Sequence, residues 1–163
     1  EGWGQFNSDE LYHQARSLDD TRIIDTTSGW FRRNETDVES LHIYFGPWNQ
    51  IHPYQKPLVL SEFGGYTYPV EGHLFNPDHA YGYKACKSQE EFQSQMIHLY
   101  QNKILASIEK GLCGAICTQI SDVEDEINGF LTYDRKVCKA SPSVMTDLSN
   151  QLQAQLKKCC EPK

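Results

Sequence analysis

The segment Lys56-Pro-Leu-Val-Leu-Ser-Glu-Phe-Gly-Gly-Tyr66 constrains the fold more than any other part of the chain. Leu58 to Leu60 form a short apolar run between Pro57 and Gly64-Gly65, which reads as a fully buried strand that ends in a sharp turn. Buried strands of this kind belong to barrels or doubly wound parallel sheets, whose active sites are built at the carboxyl ends of the strands. A carboxylate at such an end, Glu62, must be solvated by a cleft or used by it. It is the first candidate for a catalytic residue.

The flanking sequence predicts further elements in alternation. Ser8 is placed to cap a helix through about Leu18, and Thr21 to Thr27 reads as a strand broken by Gly29. Ser40 to Phe45 alternates Leu41, Ile43 and Phe45 against His42 and Tyr44, as a strand does, and stops at Gly46-Pro47. The stretch between Phe45 and Pro57 is short for a parallel crossover and should be irregular rather than helical. A long loop from Gly64 to about Lys87 precedes a capping box, Ser88-Gln-Glu-Glu91, and a helix whose apolar face is Phe92, Met96, Leu99, Ile104 and Ile108. Gly111 should end that helix. Leu112 to Ile120 reads as another buried strand, with Cys113 and Cys117 as small buried hydrophobes. An acidic loop, Asp122 to Glu126, reads as solvated, and Ser141 to Lys157 as a final amphipathic helix. The alternation predicts an α/β fold with a parallel sheet.

Charge and composition narrow the function. A net charge of −7 is unsuited to nucleic acid or an anionic membrane surface. No apolar run approaches the roughly 20 residues that span a bilayer. The six cysteines show no CxxC pair, and neither they nor the histidines fall at metal-ligand spacing, so no metal or cofactor is expected. Aromatic residues at 12% suit a sugar-binding cleft.

Two glutamates stand in similar settings: Glu1 in Glu-Gly-Trp-Gly-Gln-Phe6, and Glu62 in Ser-Glu-Phe-Gly-Gly65. A retaining glycosidase needs two such carboxylates about 5–5.5 Å apart, one as nucleophile and one as acid and then base. Nearby aromatics would stack on the sugar.

With the ordered segments Glu1-Gly-Trp-Gly-Gln-Phe6, Thr21-Arg-Ile-Ile-Asp-Thr-Thr-Ser-Gly-Trp30, Leu41-His-Ile-Tyr-Phe-Gly46, Ser61-Glu-Phe-Gly-Gly65 and Thr118-Gln-Ile-Ser-Asp-Val-Glu-Asp-Glu-Ile-Asn-Gly129, the chain resembles glycoside hydrolase family 2, the β-galactosidases, β-glucuronidases and β-mannosidases. The resemblance implies the second half of a (β/α)8 TIM barrel, about strands four to eight. It implies one partial catalytic domain over 1–163, with the barrel core over about 1–139 and a helix and tail over 140–163. The implied activity is that of a retaining exo-β-glycosidase acting on a carbohydrate substrate.

In that resemblance Glu62 is the nucleophile, Glu1 the acid/base, and Tyr44 a hydrogen-bond partner of the nucleophile. His42, Trp30 and Trp3 are substrate contacts, and Asp122 is structural. The family's Asn-x-Lys clamp for a sugar carboxylate has no lysine in Asn128-Gly-Phe130, which implies a neutral hexoside. A complete barrel takes about 200–250 residues. The expected partner is therefore the missing amino-terminal half or a second copy, and the alternative reading is an inactive fragment or assembly module.

Overall fold

The structure, a computed structural model, describes residues 6–161. The chain divides into two compact units, one of residues 1–63 and 110–116, the other of residues 64–109 and 117–163. The architecture is mixed α/β, with a small parallel sheet and helices.

The first unit opens with α1 (Ser8–Leu18). Asp9 and Glu10 in its first turn and Arg16 in its last both complement the helix dipole. The cap position belongs to Asn7 rather than Ser8; Asn7 takes a left-handed conformation and its side chain makes no capping bond. Residues 21–27 form no strand, contrary to the expectation from Ile23 and Ile24. Two of their amides are taken by side chains instead. The Ile24 amide donates to Asp37 Oδ2 at 2.7 Å, and the Thr26 amide to Thr36 Oγ1 at 3.3 Å. Asp37 also accepts from Tyr12 and pairs with Arg16, so one carboxylate stitches α1 to this segment. Asp and Thr side chains offer the backbone this alternative to a ladder.

β1 (Glu39–Ile43), β2 (Leu58–Gly64) and β5 (Leu112–Thr118) form a sheet in the order β1-β2-β5. β1 and β2 are parallel, with Glu39 opposite Leu58. The connection between them is irregular, as expected, and holds only a 3₁₀ turn at Trp48–Gln50. Val38, Leu41, Ile43, Ile51, Leu58, Leu60 and Phe63 make the core of this unit. The predicted alternation in β1 fails at its end, because Phe45 lies beyond the strand and is 62% exposed.

β5 ends at Thr118 rather than Ile120, and it is not buried as the sequence suggests. Leu112 is covered, but Cys113 is exposed and Ile116 is 60% exposed. β5 stands at one end of the strand order, where the described residues provide a neighbour on one side only. Cys113 is thus no core residue; its thiol donates to the Leu58 carbonyl at 3.2 Å.

In the second unit the long loop carries a two-strand parallel ribbon, β3 (Tyr66–Thr67) and β4 (Lys84–Ala85), which the sequence did not suggest. Ser88 caps α2 (Gln89–Leu99), its Oγ accepting from the Glu91 amide at 3.1 Å. The reciprocal arm of the box shifts by one residue, since Glu91 Oε2 accepts from the Lys87 amide at 2.7 Å. A π-helical turn at Tyr100–Ile104 joins α2 to α3 (Leu105–Ile108), and Gly111 follows at φ 100°. This wider turn explains the five-residue step from Leu99 to Ile104 in the apolar stripe. At α-helical spacing, Lys103 would take the inward position that Ile104 holds.

α4 (Pro142–Cys160) starts with proline in its first turn, where the missing N–H costs nothing, and packs against α3 and the π-helical turn. Phe92 meets Phe130 edge to face at 6.3 Å. The acidic loop is only partly solvated. Asp122 is buried, and its Oδ1 accepts from Lys139 Nζ at 2.7 Å and from the Gly129 amide at 2.8 Å. Lys139, 0% exposed, also donates to the Ile127 carbonyl at 3.0 Å. Burial pushes the Asp122 carboxyl up and the Lys139 ammonium down, and their mutual attraction opposes both changes.

Candidate functional site

Glu62 reaches its position through an irregularity in β2. Leu41 of β1 lies opposite Leu60, but the next residue, His42, lies opposite Glu62. Ser61 is therefore the extra residue of a β-bulge. Side chains alternate between faces along a strand, so one extra residue exchanges the faces beyond it. Without Ser61 in that role, Glu62 would follow Leu58 and Leu60 onto the buried face of β2. With it, Phe63 takes that face opposite Ile43, and Glu62 shares the other with His42. The hydroxyl of Ser61 is occupied, accepting from Ser40 Oγ at 2.6 Å and donating to the Leu41 carbonyl at 3.2 Å.

Three predicted residues meet here. Tyr44, just past the end of β1, donates its hydroxyl to Glu62 Oε2 at 2.8 Å. His42 Nδ1 lies 3.2 Å from the same oxygen. The Glu62 side chain is 33% exposed, whereas that of His42 is 2% exposed. Both contacts fall on Oε2, and Oε1 makes no hydrogen bond among the described residues. A carboxylate held by one oxygen and open at the other is suited to nucleophilic attack.

The sequence did not single out what supports His42 from behind. Gly29 has φ +89°, and a Cβ built on it would stand 3.0 Å from His42 Nδ1. Only glycine meets both the conformation and the close approach without strain. A second such position is Gly64, at φ +108°, where a Cβ would meet Cys117 Sγ at 3.1 Å and the Thr118 carbonyl at 3.2 Å. Cys117 is half-buried, and desolvation pushes its thiol up to about 12, against a hydrogen bond with Tyr100 that lowers it. This is an inert thiol rather than a nucleophile.

Trp30 is 59% exposed and lines a cavity on the first unit. Glu1 and Trp3 lie outside the described residues. Asp122 belongs to the other unit and serves the buried pair with Lys139. Among the described residues no group of three His, Cys, Asp or Glu is disposed to hold a metal ion, and no helix is long and apolar enough to cross a membrane. No protein-family model matches the chain, and no curated protein matches it significantly.

One signal in the sequence anticipates a missed feature. The apolar spacing in β2 is 58, 60, 63 instead of 58, 60, 62, which is the trace of the bulge. Gly29, between Ser28 and Trp30, has the look of a strand breaker in the sequence, and its second role shows only in its approach to His42.

Proposed function

We propose that the chain carries the nucleophile of a retaining exo-β-glycosidase of the family 2 type. The observation that supports this reading is the arrangement at Glu62: a carboxylate at the carboxyl end of a parallel strand, with Tyr44 at 2.8 Å and His42 at 3.2 Å on one oxygen. Glu62 Oε1 attacks the anomeric carbon as the bond to the leaving oxygen breaks. That oxygen takes a proton from the acid/base, the role the family resemblance gives to Glu1. The glycosyl-enzyme ester is then opened by water, which gives its proton back to the same acid/base, and the anomeric configuration is retained. Tyr44 keeps Oε2 in place and stabilises its charge until the ester forms.

The test is a 2-deoxy-2-fluoro β-glycoside with a good leaving group. The expected result is a single covalent adduct on the tryptic peptide containing Glu62. An adduct elsewhere, or turnover of aryl β-glycosides with inversion, would overturn the reading.

A second reading is favoured by one observation, the exposure of β5 along Cys113 to Ile116 at the end of the sheet. In it the chain is an assembly module that becomes active only when further strands cover that edge. Light scattering together with activity measured across a concentration series tests this. Activity per chain that is constant while the protein stays monomeric would rule it out.

A further inference from the structure

The second unit carries a carboxylate that the proposed chemistry at Glu62 does not use. Glu126 is the middle residue of a short row, bridged in parallel to Tyr81 on one side and antiparallel to Val123 on the other. The Glu126 and Val123 amides donate to each other's carbonyls at 3.0 Å. The Tyr81 amide donates to the Asp125 carbonyl at 2.7 Å, and the Ile127 amide to the Tyr81 carbonyl at 2.9 Å. Residues paired in this way send their side chains to the same side, with Cβ atoms about 5 Å apart. One face therefore presents Tyr81, Glu126 and Val123 together, all within the second unit.

A chain of amides fixes the carboxylate. Gln119 Nε2 donates to Asn128 Oδ1 at 2.8 Å, and Asn128 Nδ2 donates to Glu126 Oε1 at 2.8 Å. Asn128 is 3% exposed, so its amide is a dry support. Glu126 is half-buried, and its Oε2 makes no hydrogen bond or ion pair among the described residues. On either side of it Tyr81 and Val123 are each 52% exposed. The Tyr83 ring meets the Tyr81 ring edge-on at 5.9 Å and steadies it. Satisfying the buried Asn128 explains the amide chain, but not an open Oε2 between two exposed apolar side chains.

These groups define what can bind. An ionised carboxylate only accepts, so the ligand must donate. The ring of Tyr81 and the methyls of Val123 call for an apolar face beside the donors. A pyranose has both, with hydroxyls along its edge and C–H groups on its face. A metal ion would need converging ligands, and among the described residues no three acidic, His or Cys side chains converge to hold one.

We infer that Tyr81, Glu126 and Val123 form a second saccharide-binding site, in which Glu126 Oε2 accepts from sugar hydroxyls and Tyr81 takes the C–H face. The site goes beyond the glycosidase reading, and its binding chemistry does not need that reading.

The test follows amide shifts in 1H–15N correlation spectra of the full 163-residue chain as methyl β-D-glucopyranoside or methyl β-D-galactopyranoside is added. The same titration is run on the chain after treatment with a 2-deoxy-2-fluoro β-glycoside, which caps Glu62 and removes binding at the nucleophile from the readout. With at least one sugar, the amides of Tyr81, Val123 and Glu126 should shift together, with one millimolar-range dissociation constant in both samples. Glu126→Gln keeps an acceptor for Asn128 and should weaken that binding about tenfold, the lower range for a hydrogen bond to a charged group. Tyr81→Leu should weaken it about threefold, whereas Tyr81→Phe should leave it unchanged.

Unmoved amides at these three positions with both sugars, or an affinity that Glu126→Gln leaves as it was, overturns the site. Tighter binding of tetramethylammonium there than of either sugar also overturns it, in favour of a cation site. If the fluoro glycoside labels nothing while the untreated chain shows the three shifts and their loss in Glu126→Gln, the saccharide site stands and the glycosidase reading falls. Labelling of Glu62 without the three shifts does the reverse.

Discussion

Replacing Lys139 with Met should be among the most damaging single changes in this chain. Lys139 is fully buried and meets Asp122, whose side chain is 1% exposed, at 2.7 Å. Met fills a similar volume but removes the ammonium and its donation to the Ile127 carbonyl. Asp122 is then left with the Gly129 amide on Oδ1 and no partner on Oδ2. Breaking a buried pair from one side costs about 3–5 kcal/mol, against a total stability of about 5–15 kcal/mol for a domain. With a urea dependence of about 2 kcal/mol per molar, the midpoint should fall by about 1.5–2.5 M.

The pH dependence follows from the same burial. The Asp122 carboxyl is already raised, and without Lys139 it rises further. A folded carboxyl above its unfolded value of about 3.9 binds more protons in the native state. Stability of Lys139→Met therefore increases as the pH falls toward 4, and is lost as the pH rises through the folded value. Adding Asp122→Asn removes the charge while keeping an acceptor for Gly129, and should recover more than half of the loss. Urea unfolding followed by far-ultraviolet circular dichroism at pH 5 and pH 7 measures all of this. A loss below about 1 kcal/mol in the single variant, with no pH dependence and no recovery in the double, would refute the account of a buried, mutually dependent pair.

Three other outcomes are expected. Tyr44→Phe removes one charge-assisted hydrogen bond from Glu62, a contribution of about 1.5–3 kcal/mol, so steady-state kinetics on an aryl β-glycoside should give a kcat about 10- to 150-fold lower. An unchanged kcat would remove Tyr44 from the site. Gly29→Ala forces a side chain into a positive-φ position and against His42, which should lower stability by about 1–3 kcal/mol and slow labelling of Glu62 by a fluoro-glycoside. Asp134 is held below the usual carboxylate range, chiefly by the Thr132 hydroxyl and then by His73. Its depressed carboxyl stabilises the fold above about pH 4 and loses that effect as the pH falls further, so the difference in melting temperature between the parent and Asp134→Asn should shrink below about pH 4.

Local pattern carried the reading where one period governs a segment. The helices at 8–18 and 142–160, the Ser88 cap and the strands at 39–43 and 58–64 all follow from spacing and capping that act within a few residues. The apolar stripe even recorded the π-helical turn as a five-residue step. Ile23 and Ile24 misled because the fate of their backbone depends on Asp37, thirteen residues away from Ile24 and unremarkable in sequence. The apolar residues of β5 misled for a related reason: hydrophobicity registers a wish to be covered, and the cover is a property of neighbours. Glu62 was found by its place at a strand end, but its aim was not. That depends on Ser61, whose hydroxyl bonds to β1 are invisible until the two strands are side by side.

The bulge at Ser61 makes length, as well as identity, a determinant of chemistry. A library that varies the other side chains from Leu58 to Gly64 while keeping Glu62 and the residue count would leave Glu62 on the same side of the sheet in most members. Deleting one serine would preserve every charged and aromatic group and turn the carboxylate inward. Engineering or descent that tinkers with this strand is thus protected against many substitutions and exposed to a single lost codon.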